Sequence, residues 1–184
     1  NENKENYLKN NKTLETVILL EGFTEIGKQA FAQCTNLKKV FLPESLETIG
    51  NYAFNQCNSL TKIEIPDSVK TIGNGAFTEC TSLTKIEIPN SVKTIGYGAF
   101  YHCDSLIKVE ISDNVETIGE NSFAWCKSLP KIKIPNSVKT IGNFAFYDCG
   151  SLQEIIIDNT KEYVEQNWSK NWNYNCNAKI TYLR

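Results

Sequence analysis

Seven cysteines and a single histidine are the residues of this chain whose types could do chemistry. Thiolates ligate metals, form disulfides, or act as nucleophiles when a base lies beside them. The spacing argues against each use. Cys34, Cys57, Cys80, Cys103, Cys126 and Cys149 are each 23 residues apart, whereas metal sites favour close pairs such as C-x2-C with converging geometry. If equal spacing means stacked positions, neighbouring thiols come within reach of one another. Their Cβ vectors would then run parallel, which disfavours a bridge. The six are expected to be free thiols serving as small buried hydrophobes. Cys176 lies outside the series, and its pairing stays open. His102 shares its series with Gln33, Gln56, Glu79, Trp125 and Asp148, a varied set expected at an exposed position. No Gly-x-Ser-x-Gly, phosphate-loop or His-Glu-x-x-His pattern occurs. No nucleophile–base pair can be assembled, so the expectation is a protein with no catalytic centre, metal or cofactor.

The 23-residue interval governs much more than the cysteines. Phe31, Phe54, Phe77, Phe100, Phe123 and Phe146 keep it, as do the glycines from Gly27 to Gly142 and the leucines from Leu37 to Leu152. The unit reads S-L-x-x-I-x-I-P-x-S-V-x-T-I-G-x-x-A-F-x-x-C-x. Within it, Ile63 and Ile65 alternate with Lys62 and Glu64, the period of a half-buried strand. Pro66 has no N–H to extend a ladder. Val69 and Ile72 return to the interior. Gly73 marks a position needing either positive φ or close backbone approach. Ala76, Phe77 and Cys80 lie on one face of a short helical or irregular turn, too short to be stable without packing. One unit cannot bury its apolar face alone; stacked units can, and equivalent residues then form columns about 4.8 Å apart.

Units start at Leu14, Leu37, Leu60, Leu83, Leu106 and Leu129, with a last strand from Leu152. This predicts three regions: a loosely ordered polar leader at 1–13, repeats at 14–157, and an aromatic carboxyl-terminal cap at 158–184. The sequence has no Met and no signal-peptide pattern, which suggests a mature form or excised fragment. Its longest apolar run is Val17-Ile18-Leu19-Leu20, far short of the ~20 residues that cross a bilayer as a helix. A net charge of −2, from 19 basic and 21 acidic side chains, gives no overall steering toward nucleic acid or anionic membrane.

The phrases Ser91-Val92-Lys93-Thr94-Ile95-Gly96, Gly98-Ala99-Phe100 and Cys103-Asp104-Ser105-Leu106 resemble the BspA-like leucine-rich repeats of bacterial and protist surface proteins. The resemblance covers about residues 14–157. It implies an α/β leucine-rich-repeat solenoid, a right-handed superhelix with a parallel sheet on its concave face. It also implies secretion or surface display, with some members binding host matrix proteins or other cells.

Two outward features break the monotony of the repeat. Lys62, Lys85 and Lys108 head one outward column and Glu64, Glu87 and Glu110 the next, forming either a self-neutralising surface or a charged groove. Ile18, Phe41 and Ile156 interrupt the second column near its ends. Tyr97, Tyr101, His102, Trp125, Phe144 and Tyr147 occupy varied positions around the Phe-x-x-Cys turn, and aromatics of this kind make binding hot spots. The expected function is non-catalytic protein binding, with a host matrix or cell-surface protein as partner. The alternative is a structural spacer or self-associating segment.

Overall fold

The structure, a computed structural model, describes residues 8–184. The chain winds as a parallel β-solenoid of about seven turns, advancing one turn every 23 residues. Two ladders run along it. The first is the alternating segment of each unit: Thr16–Ile18 pairs with Lys39–Phe41, Lys85–Ile88 with Lys108–Ile111, and Lys131–Ile134 with Glu154–Ile157. The second is made of two-residue strands, Glu25–Ile26, Thr48–Ile49, Thr71–Ile72, Thr94–Ile95, Thr117–Ile118 and Thr140–Ile141, joined in one six-stranded sheet. The register is that of the repeat, as in Ile26↔Ile49 and Ile49↔Ile72.

Between the ladders lies one continuous apolar core. Its axis is the phenylalanine column, whose rings stack with centroids 5.3–5.7 Å apart and planes within 11° of parallel. The leucine, isoleucine, alanine and cysteine columns line it, nearly all closed to solvent.

The turn around each phenylalanine is not helical. Its amides alternate in direction. Gly75, Phe77 and Glu79 donate to Tyr97, Ala99 and Tyr101 of the next unit at 2.7–2.8 Å, while Ala76, Thr78 and Cys80 close tight turns within their own unit. Alternation of this kind requires two left-handed residues per unit. One series is Gln29, Tyr52, Gly75, Gly98, Asn121 and Phe144; the other is Gln33, Gln56, Glu79, His102, Trp125 and Asp148, with φ between 53° and 63°. A lone short helix would leave its amides unpaired at both ends, whereas here half of them tie successive turns together.

The glycine column answers a different need. A Cβ at Gly50, Gly73, Gly96, Gly119 or Gly142 would meet an atom of the preceding unit at 2.5–2.8 Å, backbone in most cases. Close approach, rather than positive φ, makes glycine necessary there.

Both ends continue the winding. Asn10, at φ 63°, donates to the Ala32 carbonyl as Gln33 donates to Asn55. After Ile157 the helix Lys161–Asn167 replaces a two-residue strand. The Thr160 hydroxyl caps it, accepting from the Tyr163 amide at 3.1 Å, a standard N-cap contact. Trp172 then sets its ring edge-on to Phe146 at 6.0 Å. Lys179–Tyr182 pairs with Glu154–Ile157 and extends the first ladder.

Candidate functional site

The cysteines hold the stack. Each thiol lies within hydrogen-bond reach of a carbonyl one turn back: Cys57 donates to Phe31, Cys80 to Phe54, Cys103 to Phe77, Cys126 to Phe100 and Cys149 to Phe123, at 3.1–3.3 Å. Cys34 donates likewise to Leu8 at 2.9 Å. All are free. Burial pushes the Cys80 and Cys149 thiols up to about 12 and the other four upward, so they stay protonated and weakly nucleophilic. The periodic reading anticipated a small hydrophobe but missed the donor role. Cys176 is half-buried and free.

The aromatic positions converge. Tyr101 meets His102 at 5.7 Å, His102 stacks flat on Trp125 at 5.5 Å, and Trp125 meets Tyr147 at 6.1 Å. Phe144 sets its edge against Tyr147 at 6.0 Å. Both reach Tyr174, at 5.7 and 6.2 Å. The result is an aromatic ribbon crossing three repeat units onto the carboxyl-terminal segment. His102 is half-buried rather than solvated. Its left-handed backbone is held by the His102 amide donating to Ala124 at 2.9 Å, and Trp125 is held by its amide donating to Tyr147 at 2.8 Å. Asp104 borders the ribbon: one carboxylate oxygen lies 2.7 Å from His102 Nδ1 and the other 3.4 Å from Lys127 Nζ, which also sits 5.2 Å above the Trp125 ring. Tyr97 is exposed and makes none of the ring contacts found among the described residues. Tyr174, Lys127 and Asp104 escaped sequence reasoning. Tyr174 lies beyond the last periodic unit, where spacing carries no positional information.

The charged columns pair internally. Lys62 reaches Glu64 at 2.6 Å, Lys108 reaches Glu110 at 2.6 Å, and Lys85 contacts both Glu87 and Glu110. Hydrogen bonds from Lys62 and Lys108 hold the Glu64 and Glu110 carboxyls below their ordinary range, and the bond to Glu87 raises Lys85. Each of these six residues thus has an opposite charge two positions along the chain.

The first ladder is interrupted twice. Between Lys108–Ile111 and Lys131–Ile134 the cause is Pro130, which lacks the N–H that Ile107 uses to reach Thr84 at 2.9 Å. Between Lys39–Phe41 and residues 61–65 the walls part into a cleft of about 750 Å³, lined by Phe41, Leu42, Lys39, Lys62, Glu64 and their neighbours.

Parallel strands stacked at a 23-residue period, with leucine and isoleucine turned inward, define a leucine-rich-repeat solenoid. The chain belongs to the BspA-type leucine-rich repeat family, whose model matches residues 2–111 and 93–181 in six copies. Among solved structures, a leucine-rich repeat protein of T. pallidum is 35% identical with a TM-score of 0.71, over 77% of this chain and 66% of that one. A leucine-rich repeat protein from Bacteroides ovatus shares the fold at 22% identity and a TM-score of 0.68, over 95% and 62% of the two chains. A leucine rich cell surface protein from Faecalibacterium prausnitzii does so at 24% and 0.53, over 93% and 60%. The chain spans about two thirds or less of the length of these relatives. No curated protein matches it.

Proposed function

We propose that this solenoid is a non-catalytic binding module of a surface-displayed or secreted protein, and that it engages a protein of a host or a neighbouring cell. The aromatic ribbon from Tyr101 to Tyr174 is the observation that carries the reading. Stacked Tyr, His and Trp rings offer large, rigid, partly polar contact area at little entropic cost, which is how binding hot spots are built. The named cell-surface relative supports the location. No described helix is long and apolar enough to cross a membrane.

The test is a binding screen of the isolated chain against immobilised extracellular-matrix and cell-surface proteins. A partner bound through the ribbon should lose about 2–4 kcal/mol, roughly 30- to 1,000-fold in affinity, on Trp125→Ala. Absence of saturable binding, or binding indifferent to Trp125 and Tyr147, would overturn the reading.

A second reading, a spacer or self-assembling segment, draws on the ion-paired outward face and on the exposed Ile18, Leu20 and Phe23 of the first unit. A rise in mass with concentration in light scattering, abolished by Phe23→Lys, would favour it.

A further inference from the structure

At the cleft beside Phe41 the first ladder loses its bonds at both ends of the strand. Where the first ladder is closed, as between Thr16–Ile18 and Lys39–Phe41, backbone bonds join successive turns at the start of the strand and again at its end. At one end Lys38 donates to the Glu15 carbonyl at 2.8 Å, and Thr84 to Thr61 at 3.1 Å. At the other, Leu19 donates to the Phe41 carbonyl at 3.0 Å, and Leu183 to Ile157 at 2.9 Å. Between residues 38–42 and 61–65 neither bond forms. Thr61 N–H and Lys38 C=O face the gap at one end, Leu42 N–H and Glu64 C=O at the other, all without a protein partner among the described residues. No proline explains the break, since Thr61 retains its amide. The two-residue ladder behind it stays closed, with Thr48↔Thr71 and Ile49↔Ile72 in register. The solenoid therefore opens like a wedge on one side only.

The cleft has the size of a ligand site; sites for small ligands run ~300–1,000 Å³. Its exposed apolar contact is Phe41, 55% accessible where the next three units carry glutamate. Its charges are zoned. Lys39 stands at the start of one wall, and Glu44 and Asp67 beyond the far end; none of the three forms an ion pair among the described residues. The other cations and carboxylates in the lining, Lys38, Lys62, Glu64 and Glu87, are already paired.

We infer that this cleft binds an extended peptide segment of a partner protein by strand addition. Its backbone would satisfy the amide and carbonyl groups left open along the two walls. An apolar side chain would cover Phe41, an acidic end would meet Lys39, and a basic end would meet Glu44 and Asp67. Five wall residues at ~3.3 Å each match about five residues of an extended peptide. Backbone bonds supply affinity in such complexes and the side-chain contacts supply selectivity. The site is separate from the aromatic ribbon.

An array of hexapeptides alternating Val and Thr tests this, some with Lys and Glu at opposite ends and others with the same charge at both. The peptides of mixed ends should bind the full chain at least 10-fold more tightly than the others, and slow amide exchange at residues 40–42 and 61–64. Alternate-residue N-methylation of the peptide should abolish binding. Thr61→Pro removes one cleft donor, and the fold already accepts proline at the equivalent Pro130; Phe41→Glu restores the glutamate of the column. Each should weaken the peptide at least 10-fold while leaving any Trp125-dependent binding intact. No peptide binding, equal binding of N-methylated peptides, or protection confined to residues outside the cleft would overturn the inference.

Discussion

The two ladders of this solenoid are built from the same seven turns, yet one is continuous and the other is broken twice. The two-residue ladder runs unbroken through six units. Beside it lie the residues that repeat most strictly: glycines that admit the neighbouring backbone, phenylalanines in a single stack, and cysteines that tie each turn to the one before. The longer ladder alternates inward and outward residues. Its outward positions vary, and it tolerates both Pro130 and the cleft beside Phe41. Strict repetition and backbone continuity go together because the same set of contacts recurs there from turn to turn. The freer side can open, because the stack is already secured behind it.

The largest test of that contrast is Phe100→Ala. Removing a fully buried ring from the middle of the column should cost about 3–5 kcal/mol in urea denaturation. A cost as small as that of an outward residue would mean that the column does not carry the fold.

Glycine substitutions come next. At Gly96 a Cβ would lie 2.8 Å from three backbone atoms of Gly73 and Asn74, so Gly96→Ala should destabilise by about 1–3 kcal/mol. Gly27 has open space around the same position, so Gly27→Ala should be neutral or stabilising by up to ~1 kcal/mol. Equal costs would separate the glycines from backbone approach.

Alkaline pH probes the thiols. Cys80 and Cys149 are raised from 9.0 to about 12 by burial. A folded value above the unfolded one means that the stability these groups contribute is fully present below pH 9. It is lost as pH climbs toward 12, because the unfolded chain releases the protons first. The urea midpoint should therefore fall more steeply between pH 8.5 and 11 in the parent chain than in Cys80→Ala; parallel slopes would refute the assignment.

The smallest effect belongs to the broken ladder. Pro130→Thr restores the amide that reaches the preceding turn, and should change stability by less than about 1 kcal/mol. It should nevertheless slow exchange of the new Thr amide and of residues 131–133. Unchanged exchange would show that Pro130 does not cause that break.

Much of this architecture is legible in the sequence. The 23-residue interval alone placed Phe100, Cys103, Leu106 and Ile95 in the interior, because in a stack each residue's nearest neighbours are its own repeats. The same logic put Lys85 and Glu87 outward. It left the local geometry of the Ala-Phe-x-x-Cys turn open between helical and irregular, because the apolar spacing suits a helical turn as well as the alternating left-handed path observed. Spacing reports which residues are inward, not where their amides point.

The site was legible only in part. Tyr101, His102, Trp125, Phe144 and Tyr147 stood out because they vary where the repeat is otherwise regular, and the structure joins them. Tyr97 has the same signature and stays apart. Tyr174 and the cleft carry no signature, since one follows the last unit and the other is a change in hydrogen bonding between ordinary residues.

The sequence by itself determined the period, the columns and the two faces of each strand, because those follow from burying like positions against like. Only the tertiary structure decided where the ladder opens, which rings meet, and which amides remain free. These depend on how unlike residues of adjacent turns fit across a distance of about 5 Å, and a repeat pattern does not encode that fit.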